Sequence, residues 1–157
     1  MSRKVLVAVD GSEHSHAALD WYLKKCKRDD DMLYGCIVKQ QPSLPTFSFK
    51  AGITVPHEEW EEILKKTNER ANKEEEYFEM TVVPTKMKHE FEPLLDPDNK
   101  PGERICEHAR NKKVDLIIMG TRGLNTLRRT LLGSVSDYVL HHAHVPIAIV
   151  PMPEEAK

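Results

Sequence analysis

The chain has 157 residues, the size of one domain, and at that length folding buries roughly two-thirds of the unfolded surface without metals or disulfides. Its 23 basic and 25 acidic side chains leave a net charge of −2, so no global nucleic-acid footprint is present. Three widely spaced cysteines, Cys26, Cys36 and Cys106, exclude a disulfide framework and fit a reducing cytoplasm. No apolar run is long enough to cross a bilayer, and Val5–Val9 is too short for the core of a signal peptide.

The elements follow in order. Val5–Val9 is a continuous apolar run ended by Asp10-Gly11, which predicts a strand buried on both faces. Ser12 is placed to cap a helix, and Ala18, Leu19, Tyr22, Leu23 and Cys26 give that helix one apolar face. Asp29-Asp30-Asp31 predicts a turn, and Met32–Val38 a second strand in which Gly35 implies a close packing contact. Residues 39–56, broken by Pro42, Pro45, Gly52 and Pro56, predict a long loop: a ligand cover, a partner surface or a variable insertion. A long helix starts at His57, with Trp60, Ile63, Leu64, Thr67, Ala71 and Phe78 at helical spacing. Thr81–Met87 reads as a weaker strand whose Pro84 argues for an edge, and residues 89–100 as an acidic, proline-rich loop. Pro101 suits the first turn of a helix lined by Ile105 and Ala109. Val114–Met119 predicts the fourth strand. Leu131, Val135, Tyr138, Val139 and His142 mark the last helix, and Val145–Val150 the fifth strand.

Strands alternating with helices predict a parallel sheet covered on both faces, and such sheets bind ligands beyond the carboxyl ends of the strands, where strand order reverses. Two loops leave strands in a way that suits this: Asp10-Gly11-Ser12, and the stretch from Gly120 through Gly123 to Gly133. Glycines there bring backbone N–H groups close to an anion, and the helix that follows adds positive dipole charge. Each feature also has a plainer use: Asp10 as a turn residue, the glycines as turn geometry, and Ser134 and Ser136 as helix caps. Arg122, Arg128 and Arg129 form a small basic cluster beside the glycines, of which Arg128 and Arg129 suit either phosphate or solvent. His141, His142 and His144 spread around a helix end rather than converging on a metal, and His14 and His16 read as surface residues. The Walker pattern GxxxxGK[ST] is absent, and no candidate base lies in the glycine loop.

The opening VLVAVDGSEHSHAALDWYL and the segment VDLIIMGTRGLNTLRRTLLGSVSDYVLHHAHVPIAIVP resemble the universal stress proteins. That family's nucleotide motif, G-x2-G-x9-G-[ST], is matched by Gly120, Gly123, Gly133 and Ser134. The resemblance covers nearly all of residues 1–157 as a single domain, apart from the loops at 39–56 and 89–100. It implies a three-layer α/β sandwich with a five-stranded parallel sheet of order 3-2-1-4-5, like the adenine-nucleotide α-hydrolases. It also implies ATP or AMP held between the loops after strands one and four. Position by position, Ala8 and the Val38 backbone would line the adenine, Asp10 would meet ribose or phosphate, and Met119 and Gly120 would flank the ribose. Arg122, Gly123, Gly133, Ser134, Val135 and Ser136 would contact phosphates. Last, it implies a homodimer through Val145–Val150, an edge with Val145, Ile147 and Ile149 otherwise bare. The expected function is a cytoplasmic nucleotide-binding stress sensor or adaptor, with no nucleic acid or membrane partner. The alternative is a slow Mg²⁺-dependent ATPase or phosphoryl-transfer enzyme with Asp10 on the metal. A dimeric interaction protein that has dispensed with nucleotide would not need the glycine motif.

Overall fold

The computed structural model describes residues 2–40, 57–121 and 132–153. Five parallel strands, β1 (Lys4–Val9), β2 (Met32–Gln40), β3 (Lys88–Asp96), β4 (Leu116–Gly120) and β5 (Ile147–Val150), form one sheet in the order β3-β2-β1-β4-β5. The helices are α1 (Glu13–Trp21), α2 (His57–Val82), α3 (Pro101–Lys112) and α4 (Ser134–His142). Along central β1 the side chains alternate between two cores. Val5, Val7 and Val9 pack with Leu19 of α1 and Phe78 of α2. Leu6 and Ala8 pack with Ile105 of α3 and Val139 of α4. Each fully buried aliphatic or aromatic side chain contributes roughly 1.5–3 kcal/mol, which explains why β1 and β4 are apolar on both faces. Gly35 makes the close contact expected of it: a Cβ there would lie 2.5 Å from the Phe78 ring and 2.6 Å from Phe91.

The third strand lies elsewhere than predicted. Thr81 and Val82 end α2, with Val82 fully buried one turn after Phe78, and Val83–Thr85 form a short 3-10 turn that tolerates Pro84. Lys86, at φ 57°, reverses the chain into β3. Residues 89–96 are therefore strand, not loop. An edge strand is half solvated, so Glu90, Glu92 and Pro93 sit among Phe91 and Leu94 and hide the apolar pattern. Pro93 is tolerated because a proline, which lacks an N–H, can sit where an edge strand meets solvent. The strand β2 is two residues longer than Met32–Val38, and β5 starts at Ile147 rather than Val145. Residues 41–56 of the predicted long loop lie outside the described residues.

Asp31, read as a turn residue, is instead a buried hub. The last turn of α1 widens over Tyr22–Cys26, with Lys27 N–H reaching back to the Tyr22 carbonyl at 2.8 Å. This brings the Tyr22 hydroxyl to Asp31 Oδ2 at 2.7 Å, beside Arg28 N–H at 2.9 Å and the Arg3 guanidinium at 2.9 and 2.7 Å. The three cysteines are free thiols, and burial pushes that of Cys36 up to about 12.

The sheet opens where β1 ends. Pairing of β1 with β4 runs only from Val5 opposite Leu116 to Val7 opposite Ile118, so Ala8–Asp10 and Met119–Gly120 diverge. Pairing of β1 with β2 stops at Val9 opposite Ile37, while β2 continues along β3 to Gln40 opposite Asp96. From Val38 onward the β1-facing edge of β2 therefore has no strand partner among the described residues.

Burial alone would raise the Asp31 carboxyl, but the hydrogen bonds from Arg3, Arg28 N–H and Tyr22 outweigh it and hold the group below its ordinary value. The hub's stabilisation is complete above the unfolded carboxyl pKa of about 3.9 and is lost as pH falls through the lower folded value. Asp31→Asn should abolish this acid-side dependence in denaturant titrations between pH 7 and pH 2. It should also cost about 3 kcal/mol at pH 7, the low end for such a pair because Arg3 stays 18% exposed.

Candidate functional site

Two helices point their N-termini at the gap between β1 and β4, and their first turns differ. That of α1 is closed by its own sequence. Ser12 caps it, its Oγ accepting from Ser15 N–H at 3.2 Å, and Ser15 Oγ donates to the Ser12 carbonyl at 2.9 Å. Asp10 is drawn into this arrangement, its Oδ1 accepting from Ser12 N–H at 3.0 Å and Ser12 Oγ at 2.5 Å. Its Oδ2 has no hydrogen-bond partner among the described residues.

The first turn of α4 is open. Its cap residue is Gly133, in extended conformation at φ −65° and ψ 149°, with no side chain to bond the turn. Asp137 N–H is the first to reach back, to the Gly133 carbonyl at 2.8 Å. The N–H groups of Ser134, Val135 and Ser136 find no acceptor among the described residues. These are the orphan donors every helix start leaves, here facing a cavity. The turn is held rigidly in place: Gly133 N–H donates to the Thr121 carbonyl at 2.8 Å, and Ser136 Oγ donates to the Gly120 carbonyl at 3.0 Å.

Between these features lies a cavity of about 370 Å³. Ala8, Val38 and Met119 supply apolar wall, together with Ile105 and Pro101 of α3. Asp10 and Gly120 line it at the strand ends, and Gly133, Ser134, Val135 and Ser136 line it from α4. Nine of the eleven residues singled out from sequence thus share one cavity. The other two, Arg122 and Gly123, lie outside the described residues, as do Arg128, Arg129 and Leu131.

Gly120 lines the cavity, and its missing side chain also lets β4 pass under α1, since a Cβ would lie 2.5 Å from the His14 carbonyl oxygen. Two roles read from sequence need correction. Neither Ser134 nor Ser136 caps α4: the cap is Gly133, and the Ser136 hydroxyl is spent on Gly120. His14 and His16 are not surface residues. Half-buried His14 bonds Thr121 Oγ1 through Nδ1 at 3.1 Å. His16 pairs with buried Glu74 of α2 at 2.8 Å and stacks on Tyr77.

A family model described as the universal stress protein family matches residues 1–151. The chain belongs to the universal stress protein family. It is 33% identical over 157 residues to universal stress protein MJ0531 of Methanocaldococcus jannaschii, covering 98% of this chain and 84% of that one. The solved structure of protein MJ0577 from the same organism superposes with a TM-score of 0.73 at 25% identity, over 99% of each chain. A universal stress protein family protein from Arabidopsis thaliana, solved with AMP bound, superposes with a TM-score of 0.64 at 18% identity, covering 95% of this chain and 91% of that one. The strand order 3-2-1-4-5 expected of a universal stress protein is the order observed.

Sequence reasoning missed several lining residues: Ser15, Gln40, Arg70 and Asn99. Gln40 and Asn99 flank the end of β2, with Asn99 in the left-handed conformation at φ 57°. Arg70 comes from α2 and donates to the Asp10 carbonyl oxygen. Only Asn99, a residue type that tolerates that conformation in a turn, carried any local signal.

The open turn makes a substitution with opposite effects on fold and binding. At φ −65° and ψ 149° Gly133→Asp meets no backbone strain, and Asp is a better helix cap than Gly by a few tenths of a kcal/mol. Its carboxylate would take the orphan N–H groups and repel an anion. The variant should melt within a few degrees of the parent and bind nucleotide at least about tenfold more weakly in calorimetry.

Proposed function

We propose that this universal stress protein binds an adenine nucleotide, ATP or AMP, in the cavity between β1 and β4, and acts as a sensor or adaptor rather than as a metabolic enzyme. The observation that carries this reading is the uncapped, rigidly anchored first turn of α4 opening into a half-apolar cavity. Three converging N–H groups and the helix dipole suit a phosphate group. The apolar wall of Ala8, Val38 and Met119 suits a base, and the β2 edge at Val38 offers main-chain groups for its polar rim. Asp10 Oδ2 suits a ribose hydroxyl, since a carboxylate accepts from hydroxyls and repels phosphate. The AMP held by the Arabidopsis relative supports the same ligand class here.

Binding is favoured over turnover by the donor set. Asp10 is the one carboxylate among the described residues lining the cavity, and one of its oxygens is committed to Ser12. A Mg²⁺ ion would therefore rest mainly on the nucleotide's own phosphates rather than on a protein cage. A cytoplasmic homodimer completes the proposal, with β5 as its seam: Ile147, Ala148 and Ile149 are only half-buried at the open edge of the sheet. An apolar edge of this kind is normally paired or covered.

Isothermal calorimetry on nucleotide-stripped protein tests the ligand. AMP and ATP should bind with micromolar to sub-millimolar Kd, with adenosine about tenfold or more weaker because it lacks the charge-assisted bonds to α4. No heat from either nucleotide at millimolar concentration would refute nucleotide binding.

A further inference from the structure

Arg70 stands apart from the other charges of α2. Lys65 pairs along the helix with Glu69, and Lys66 with Glu62. Arg70 forms no ion pair with a carboxylate among the described residues; its Nη2 donates instead to the Asp10 carbonyl oxygen at the end of β1. Among the described residues lining the cavity it is the one cation. It also reaches the cavity from the opposite side to α4. Its neighbour Ala71 packs in the core shared with α1, whereas Val139 of α4 packs in the core shared with α3, across the sheet.

The two positive features of the cleft thus stand on facing walls. One is a fixed helix terminus with three N–H groups; the other is a guanidinium on a flexible stem. A guanidinium has five N–H donors, and the bond to Asp10 uses one. A single phosphate seated on α4 satisfies the first feature alone. A chain of two or three phosphates extends further from α4 into the cavity that Arg70 also lines, where the planar, bidentate guanidinium suits phosphoryl oxygens.

We propose that Arg70 is a second anion contact that makes the site prefer nucleoside di- and triphosphates over the monophosphate. This rests on the nucleotide-binding function proposed above and adds which member of that ligand class the cleft favours. Arg70 does so from a helix that contributes no other residue to the cavity lining.

The test compares ATP and AMP affinities by calorimetry in the parent, Arg70→Gln and Arg70→Lys. Arg70→Gln should weaken ATP by about tenfold and AMP by less than about twofold, the loss expected for one charge-assisted bond made to the outer phosphates only. Arg70→Lys should recover part of the ATP affinity through charge without the fork. Because Arg70 is exposed, the melting temperature without ligand should barely change, and retained AMP binding shows that the variant is folded. An equal loss for ATP and AMP would mean that Arg70 merely fastens α2 to the end of β1, and would overturn the proposal. So would an unchanged ATP affinity. Parent protein that binds neither nucleotide would remove the proposed function and this inference together, whereas AMP binding with an unaltered ATP-to-AMP ratio in Arg70→Gln would remove this inference alone.

Discussion

The structure depends at its functional end on two hydrogen bonds that hold a helix start open. Gly133 N–H to Thr121 O, at 2.8 Å, and Ser136 Oγ to Gly120 O, at 3.0 Å, tie the first turn of α4 to the end of β4. The groups used are those a ligand would not need. The N–H groups of Ser134, Val135 and Ser136 remain without an acceptor among the described residues. A helix start of this kind ordinarily recruits Ser, Thr, Asp or Asn as its cap, as α1 does with Ser12. With Gly133 as its cap, α4 forgoes about a few tenths of a kcal/mol of local stability relative to a turn capped by Ser, Asp or Asn. Such a sacrifice is characteristic of a binding site, where an incoming anion supplies the missing acceptor.

The cavity exists because the strands end at different heights. Asp10 turns β1 away, held by Ser12, while β2 continues to Gln40 and β4 bends off beyond Ile118. One structural choice therefore gathers apolar wall, main-chain edge and open helix terminus around one cavity. Glycines enforce the arrangement by close approach. Gly120 lets α1 lie against β4, and Gly11, at φ 82°, turns the chain beside Glu74 and Arg70. The motif spacing thus serves close packing at Gly120 and a helix cap without a side chain at Gly133, although both positions read alike in the sequence.

What was legible followed from burial. The strands β1, β2 and β4 are covered on both faces, so Val5–Val9, Met32–Val38 and Val114–Met119 stand out as apolar runs. The strand β3 is half solvated, and its Glu90, Glu92 and Pro93 carry the signature of a loop. The motif residues that line the cavity were legible because their spacing is local, within one strand-loop-helix unit. Arg70 was not, because it sits 60 residues from Asp10 on a helix face crowded with Lys and Glu. The partnership of His16 with Glu74, 58 residues apart, was hidden for the same reason. Local periodicity reports which face of an element is buried; it does not report which other element meets it.

Amide chemical shifts probe the open turn most directly. In ¹⁵N-labelled protein, titration with AMP and, separately, with inorganic phosphate should shift the backbone amides of Ser134, Val135 and Ser136, while adenosine should leave those three close to their free positions. Saturable binding of AMP with no movement at these amides would contradict phosphate capture by α4.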